Sequence, residues 1–217
     1  GEKKAEEIFK VFHSKSTISI RTNLTRCTPD ELRAMLEAEG VTVTAVDELN
    51  YAFVISGFDY LNGLQSFRDG LFYVQDISSM LVAQTAAPKK GDYVIDVCAA
   101  PGGKSTHIAE LLQGSGHVLA RDLTDNKVDM IEENIERHGL NNMSAEVWDA
   151  TVFDADSAGK ADILICDLPC SGLGVLGRKK DIRYKMTPES VDELAALQRQ
   201  ILDTVHTYVK PNGVLVY

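Results

Sequence analysis

From residue 88 onward the sequence alternates short apolar runs with amphipathic ones, and that rhythm narrows the fold to one architecture. Tyr93–Val97, His117–Arg121, Ser144–Val147, Ile163–Cys166 and Val214–Tyr217 read as strands. Ser105–Leu112, Thr124–His138 and Pro188–Val209 read as helices. Strands so short and so continuously apolar belong in a parallel sheet covered by helices on both faces. Such sheets collect ligands beyond the C-terminal ends of their strands. With 217 residues, 44% of them hydrophobic, the chain can fill one domain of this kind and a smaller companion.

The companion comes first. A short helix at Ala5–Phe12, a strand at Thr17–Thr22, a helix from Pro29 to Glu39 and a strand at Val41–Val46 make a small α+β unit over residues 1–67. Thr28 caps the second helix, with Glu31 three residues on, and Gly40 ends it. Residues 68–87 connect the two units and contain a helix at Ser78–Ala86, and the larger domain takes 88–217. No run of eighteen apolar residues occurs and the start is charged, so a cytoplasmic, soluble protein without a membrane partner is expected. Cys27, Cys98, Cys166 and Cys170 form no CxxC pair, which favours reduced thiols and no metal. No heptad stands out, and a monomer is expected. A net charge of −10 argues against coating nucleic acid by bulk attraction. The basic cluster Arg178, Lys179, Lys180, Arg183 and Lys185, broken only by Asp181, reads either as a solvated loop or as a local phosphate contact.

Chemistry concentrates where the strands end. After Asp96-Val97 comes Cys98-Ala99-Ala100-Pro101-Gly102-Gly103-Lys104, a small-residue loop opening a helix, which lets a ligand approach the backbone. Its free amides suit a carboxylate or a phosphate, and a purely structural turn is also open. It matches neither GxGxxG nor GxxxxGK[ST]. The second strand delivers Asp122, placed to accept from both hydroxyls of a ribose, and the third delivers Asp149, suited to an exocyclic amine. The fourth runs into Asp167-Leu168-Pro169-Cys170-Ser171-Gly172. Methylating carbon 5 of a cytosine needs a nucleophile on carbon 6, a thiolate for instance, and a base to remove the carbon-5 proton. On the residues alone, Cys170 is the nominee for nucleophile. Cys166 reads as a small core residue, and the five histidines form no ligand spacing.

Taken together and in order, Arg21-Thr22-Asn23, Gly70–Asp76, the Cys98–Lys104 loop, Asp167–Gly172 and Ala195-Ala196-Leu197-Gln198 resemble the Sun or RsmB type of bacterial ribosomal RNA cytosine-5 methyltransferase, within the wider Nol/Nop/Sun family. The resemblance implies a Rossmann-like class I S-adenosylmethionine-dependent methyltransferase fold behind a small N-terminal α+β domain. It implies S-adenosyl-L-methionine as cofactor, wrapped by Cys98–Lys104 with Asp122, Asp149 and Asp167 completing the site. RNA rather than DNA becomes the expected partner, ribosomal RNA ahead of transfer RNA. The resemblance also moves Cys170 from attack to product release, since the family's attacking cysteine follows the fifth strand. The chain stops in Gly213–Tyr217, so the natural protein is expected to continue, and the chain as given to be inactive or nearly so. Arg21 and Asn23 are expected either near the RNA entrance or, for Arg21, as an anchor between domains. Phe72 and Tyr73 read as base-stacking partners or, more simply, as packing. A nicotinamide-dependent oxidoreductase and an RNA-binding scaffold without turnover are the two alternatives.

Overall fold

The computed structural model describes Lys4, residues 18–175 and residues 182–217, the side chains of Arg183 and Lys185 apart. The expected helix Ala5–Phe12 and the basic residues Arg178, Lys179 and Lys180 lie outside the described residues.

The small domain is an antiparallel sheet of order β2-β3-β1-β4, formed by β1 (Ile18–Thr22), β2 (Thr42–Val46), β3 (Leu49–Ser56) and β4 (Phe72–Val74). Its helix α1 (Pro29–Ala38) starts on a capping box. The Thr28 hydroxyl accepts from the Glu31 amide while the Glu31 carboxylate accepts from the Thr28 amide. Leu32 and Leu36, four residues apart and so on one helix face, are fully buried against Ile20, Phe53, Ile55 and Phe72. Phe72–Val74 falls in the stretch that the sequence reading gives to the connecting segment, and it pairs with β1 as the edge strand of this sheet.

The large domain is an all-parallel sheet of order β7-β6-β5-β8-β9. Its strands are β5 (Tyr93–Asp96), β6 (His117–Asp122), β7 (Met143–Val147), β8 (Ala161–Ile165) and β9 (Val209–Val216). Strand alternation sends Val94, Ile163 and Ile165 to one face and Ile95 and Leu164 to the other. Helices α2 (Ile77–Ala86), α3 (Gly103–Leu111) and α4 (Asp125–His138) cover the first face through Ala83, Ile108 and Ile131. Helix α5 (Pro188–Val205) covers the second through Ile201 and Val205. The expected two-faced parallel sheet is therefore present. Helix α5 ends at Val205, four residues short of the expected Val209, because Tyr208 is buried under the sheet and Val209 already pairs with Ala161.

The two domains meet along a polar seam. Alternation in β1 and β4 turns Ile20 and Phe72 into the small core and turns the cross-strand pair Arg21 and Tyr73 toward α3. Arg21 is 1% exposed and Asn23 is fully buried. Asn23 donates to the carbonyls of Gly70 and His138. Neither side chain is open to solvent, and Arg21 bridges the domains through its ion pair with Glu110 on α3, the domain-anchoring alternative. Phe72 and Tyr73 are likewise buried, which makes them packing residues rather than stacking platforms.

Candidate methyl-donor site

Strand β5 ends at Asp96, and the loop that follows is held from several sides. The Ala99 amide donates to the Arg121 carbonyl at 2.8 Å and the Gly102 amide to the Ala99 carbonyl at 2.7 Å. Gly102 has φ +100°, a conformation that side-chain-bearing residues avoid, which explains glycine immediately before α3. Gly103 packs closely against the small domain. A Cβ there would meet the Tyr73 ring at 3.1 Å, tighter than ordinary van der Waals contact.

Beneath the loop, Asp96 is 1% exposed and accepts from the Ser105 hydroxyl at 2.6 Å. Burial pushes its acid up to about 6, with the charge of Asp167 adding to the rise. Asp122, at the end of β6, is also buried. Its Oδ2 accepts from the Ala100 amide at 2.9 Å, and its Oδ1 accepts from the Leu123 amide and from Lys127 Nζ, both at 2.8 Å. Asp149 is exposed, and two hydrogen bonds from Thr151 to its Oδ1 hold its carboxyl below the usual carboxylate range, leaving Oδ2 for a ligand. Asp167 pairs with Lys104 Nζ at 2.5 Å.

These acids converge on one open cleft of about 230 Å³ at the C-terminal edge of the sheet. Cys98, Ala100, Asp122, Asp149 and Asp167 line it, together with Lys127, Trp148 and the apolar side chains of Leu123, Ala150 and Ile201. Ala99 is buried, and Pro101, Gly102, Gly103 and Lys104 shape the turn into α3 without lining the cleft. A larger hollow, about 360 Å³, lies at the domain seam between Thr22, Tyr51, His107 and Asn142. It lies where β7 begins, beside the end of β1 in the small sheet, and burial keeps His107 neutral with its pKa down to about 2. The smaller cleft is the one with convergent charged groups at strand C-termini.

Cys170 is exposed and follows Pro169, which lines the cleft. Burial raises the thiols of Cys98 and Cys166 to about 12, and that of Cys27 to about 11. Gln198 on α5 donates to the Pro169 carbonyl at 2.7 Å and accepts from the Tyr217 hydroxyl at 2.9 Å, fixing the rim that carries Cys170. Lys127 and Ile201 went unmarked in the sequence, although a lysine five residues after a strand-end acid is a readable signal. Among the described residues, no group of three or more His, Cys, Asp or Glu is placed to hold a metal ion.

Residues 83–217, more than half of the chain, match the family described as 16S rRNA methyltransferase RsmB/F. The chain belongs to that family. It is 37% identical over its whole length to the probable ribosomal RNA small subunit methyltransferase B of Bacillus subtilis, and 34% identical over 92% of its length to ribosomal RNA small subunit methyltransferase F of Escherichia coli. The chain spans about half the length of these curated relatives, 48% and 43% respectively. Among solved structures, PH0851 superimposes with a TM-score of 0.92 at 29% identity over 98% of this chain and 48% of its own. NSun6 from Pyrococcus horikoshii, crystallised with SFG, shares the fold with a TM-score of 0.88 at 24% identity, covering 100% of this chain and 79% of its own. The large domain thus has the Rossmann-like fold of S-adenosylmethionine-dependent methyltransferases, as the family resemblance implies.

Proposed function

We propose that this chain carries the methyl-donor site of an RNA (cytosine-5) methyltransferase that uses S-adenosyl-L-methionine and acts on 16S ribosomal RNA. The observation that carries the reading is the convergence of Asp122, Asp149 and Asp167, from the ends of three different strands, on the cleft beside the Cys98–Ala100 backbone. The donor set suits the cofactor. Asp122 would accept from the ribose hydroxyls, Asp149 from the exocyclic amine, and Leu123, Ala150 and Ile201 offer apolar walls to the adenine. An acid-rich cleft also favours a sulfonium over an anionic dinucleotide. When bound, the cofactor supplies an electrophilic methyl group.

On the acceptor side, a thiol must be exposed near the cleft to act on a base turned out of its stack. Of the four cysteines only Cys170 meets that condition, since burial disfavours the thiolate of the other three. Its position on the rim fits the product-release role. Ribosomal RNA is preferred over transfer RNA because the named relatives are ribosomal enzymes.

Isothermal titration tests the reading. S-adenosylhomocysteine should bind the chain, NAD should not, and Asp122→Asn should weaken binding by about tenfold, the loss of one charge-assisted hydrogen bond. Binding of NAD in place of S-adenosylhomocysteine would overturn it.

A further inference from the structure

We infer that Arg21 and Tyr73, on the small domain, are positioning residues for the cofactor loop, so that methyl-donor affinity is set in part from across the domain seam. This rests on the reading of the cleft as the S-adenosylmethionine site.

Two carbonyls of the loop, those of Pro101 and Gly103, each accept a hydrogen bond from the small domain beside one from the large domain. Tyr73 donates its hydroxyl to the Pro101 carbonyl at 3.1 Å, and Asn134 on α4 supports the same oxygen at 3.0 Å. Arg21 Nη1 donates to the Gly103 carbonyl at 2.9 Å. The guanidinium is itself fixed by Glu110 at 2.7 and 3.2 Å, by Gln75 at 2.5 Å, by Thr106 at 3.3 Å and by stacking 5.4 Å from the Tyr73 ring centre. A peptide unit is planar with its C=O and N–H pointing in opposite directions. Gly103 opens α3, so Arg21, with Thr106 Oγ1 at 3.2 Å, holds the first helical peptide with its oxygen on the seam side and the Lys104 amide away from it, at the helix start where amides are free for a ligand. Lys104 then reaches Asp167 on the cleft wall.

Domain glue alone would not require this geometry, because Asn23 and His138 join the same domains without touching the loop. Asn23→Ala therefore serves as the control that loosens the seam without removing a bond to the loop. Tyr73→Phe removes one hydroxyl and leaves the ring, whereas Arg21→Lys keeps the charge facing Glu110 and loses the fork of donors.

Titration with S-adenosylhomocysteine should show a dissociation constant raised roughly fivefold in Tyr73→Phe, one hydrogen bond's worth, and about tenfold or more in Arg21→Lys. In the ligand-free protein, amide exchange across residues 98–104 should be faster in both. Asn23→Ala should lower the melting temperature with its dissociation constant within about twofold of the parent. By reciprocity, ligand should slow exchange at the seam in the parent and less so in Tyr73→Phe. If Tyr73→Phe and Arg21→Lys lose stability as Asn23→Ala does, with unchanged affinity and unchanged loop exchange, the two residues are glue and the inference fails. Should Arg21→Lys not fold, Tyr73→Phe decides. Were the parent not to bind S-adenosylhomocysteine at all, the reading of the cleft would fall, and loop exchange in the free protein would still decide whether Arg21 and Tyr73 brace it.

Discussion

Replacing Asp96 by asparagine should remove one component of the pH dependence of this fold's stability below neutrality, opposite in sign to that of the buried His107 and His138. The carboxyl sits at the end of β5 beneath the Cys98–Lys104 loop, and burial raises its pKa from 3.8 to about 6 despite the hydrogen bonds from Ser105 and the Cys98 amide. An acid whose pKa is higher folded than unfolded binds extra protons in the native state between those two values. Its stabilising contribution is complete below the unfolded value and is lost as pH rises through about 6. At 1.36 kcal/mol per pH unit the whole span is worth about 3 kcal/mol, of which about 2 kcal/mol falls between about pH 4.5 and pH 8. Asparagine keeps the shape and an acceptor for Ser105 and carries no charge to bury. Its fixed cost is the same at every pH and cancels from the comparison. Urea unfolding of both proteins at several pH values across that window should show the asparagine variant gaining about 2 kcal/mol on its parent as pH rises, nearly all of it before about pH 7. A difference constant to within about 0.5 kcal/mol over the window would refute the reasoning.

Three further outcomes follow from the same structure. Glu110→Gln leaves the Arg21 guanidinium buried without its counter-charge and should cost about 3 kcal/mol or more in chemical denaturation. Gly102→Ala places a side chain at φ +100° and should cost about 1–3 kcal/mol, with weakened S-adenosylhomocysteine binding in the same titration. Thr28→Ala removes the α1 cap and should lower stability by about 1 kcal/mol while leaving that binding unchanged.

The large domain was readable because its signals are local and redundant. Each strand is an apolar run, and each of three strands hands an acid to the same edge. What escaped the sequence had weaker local marks. Strand β3 is joined to β2 by the two residues Asp47 and Glu48, a hairpin turn without the Asn-Gly or Asp-Gly pair that usually announces one. Three-residue β4 is too short to show alternation, and it exists because β1 supplies its partner. The sequence carries α5 on to Val209 because Thr204–Val209 continues an apolar helical pattern with no stop before Pro211, and the sheet decides where it becomes a strand. Within the site, Asp122, Asp149 and Asp167 were visible as strand-end acids. Ile201 was not, because it reaches the cleft from a helix remote in sequence. The anchoring role of Arg21 was undecidable from residues alone, since the same arginine on either face of a strand reads identically.

The contact of Gly103 with the Tyr73 ring bears on how such enzymes can be recombined. A chimera cut at the domain boundary would join the Cys98–Lys104 loop to a foreign small domain, and the loop would lose the ring that its second glycine packs against. The transferable unit is therefore the large domain together with the edge of the small sheet, Arg21 on β1 and Phe72–Gln75, even though that edge does not line the cleft at the strand ends. Grafts that carry it across should keep cofactor affinity where grafts of the large domain alone lose it.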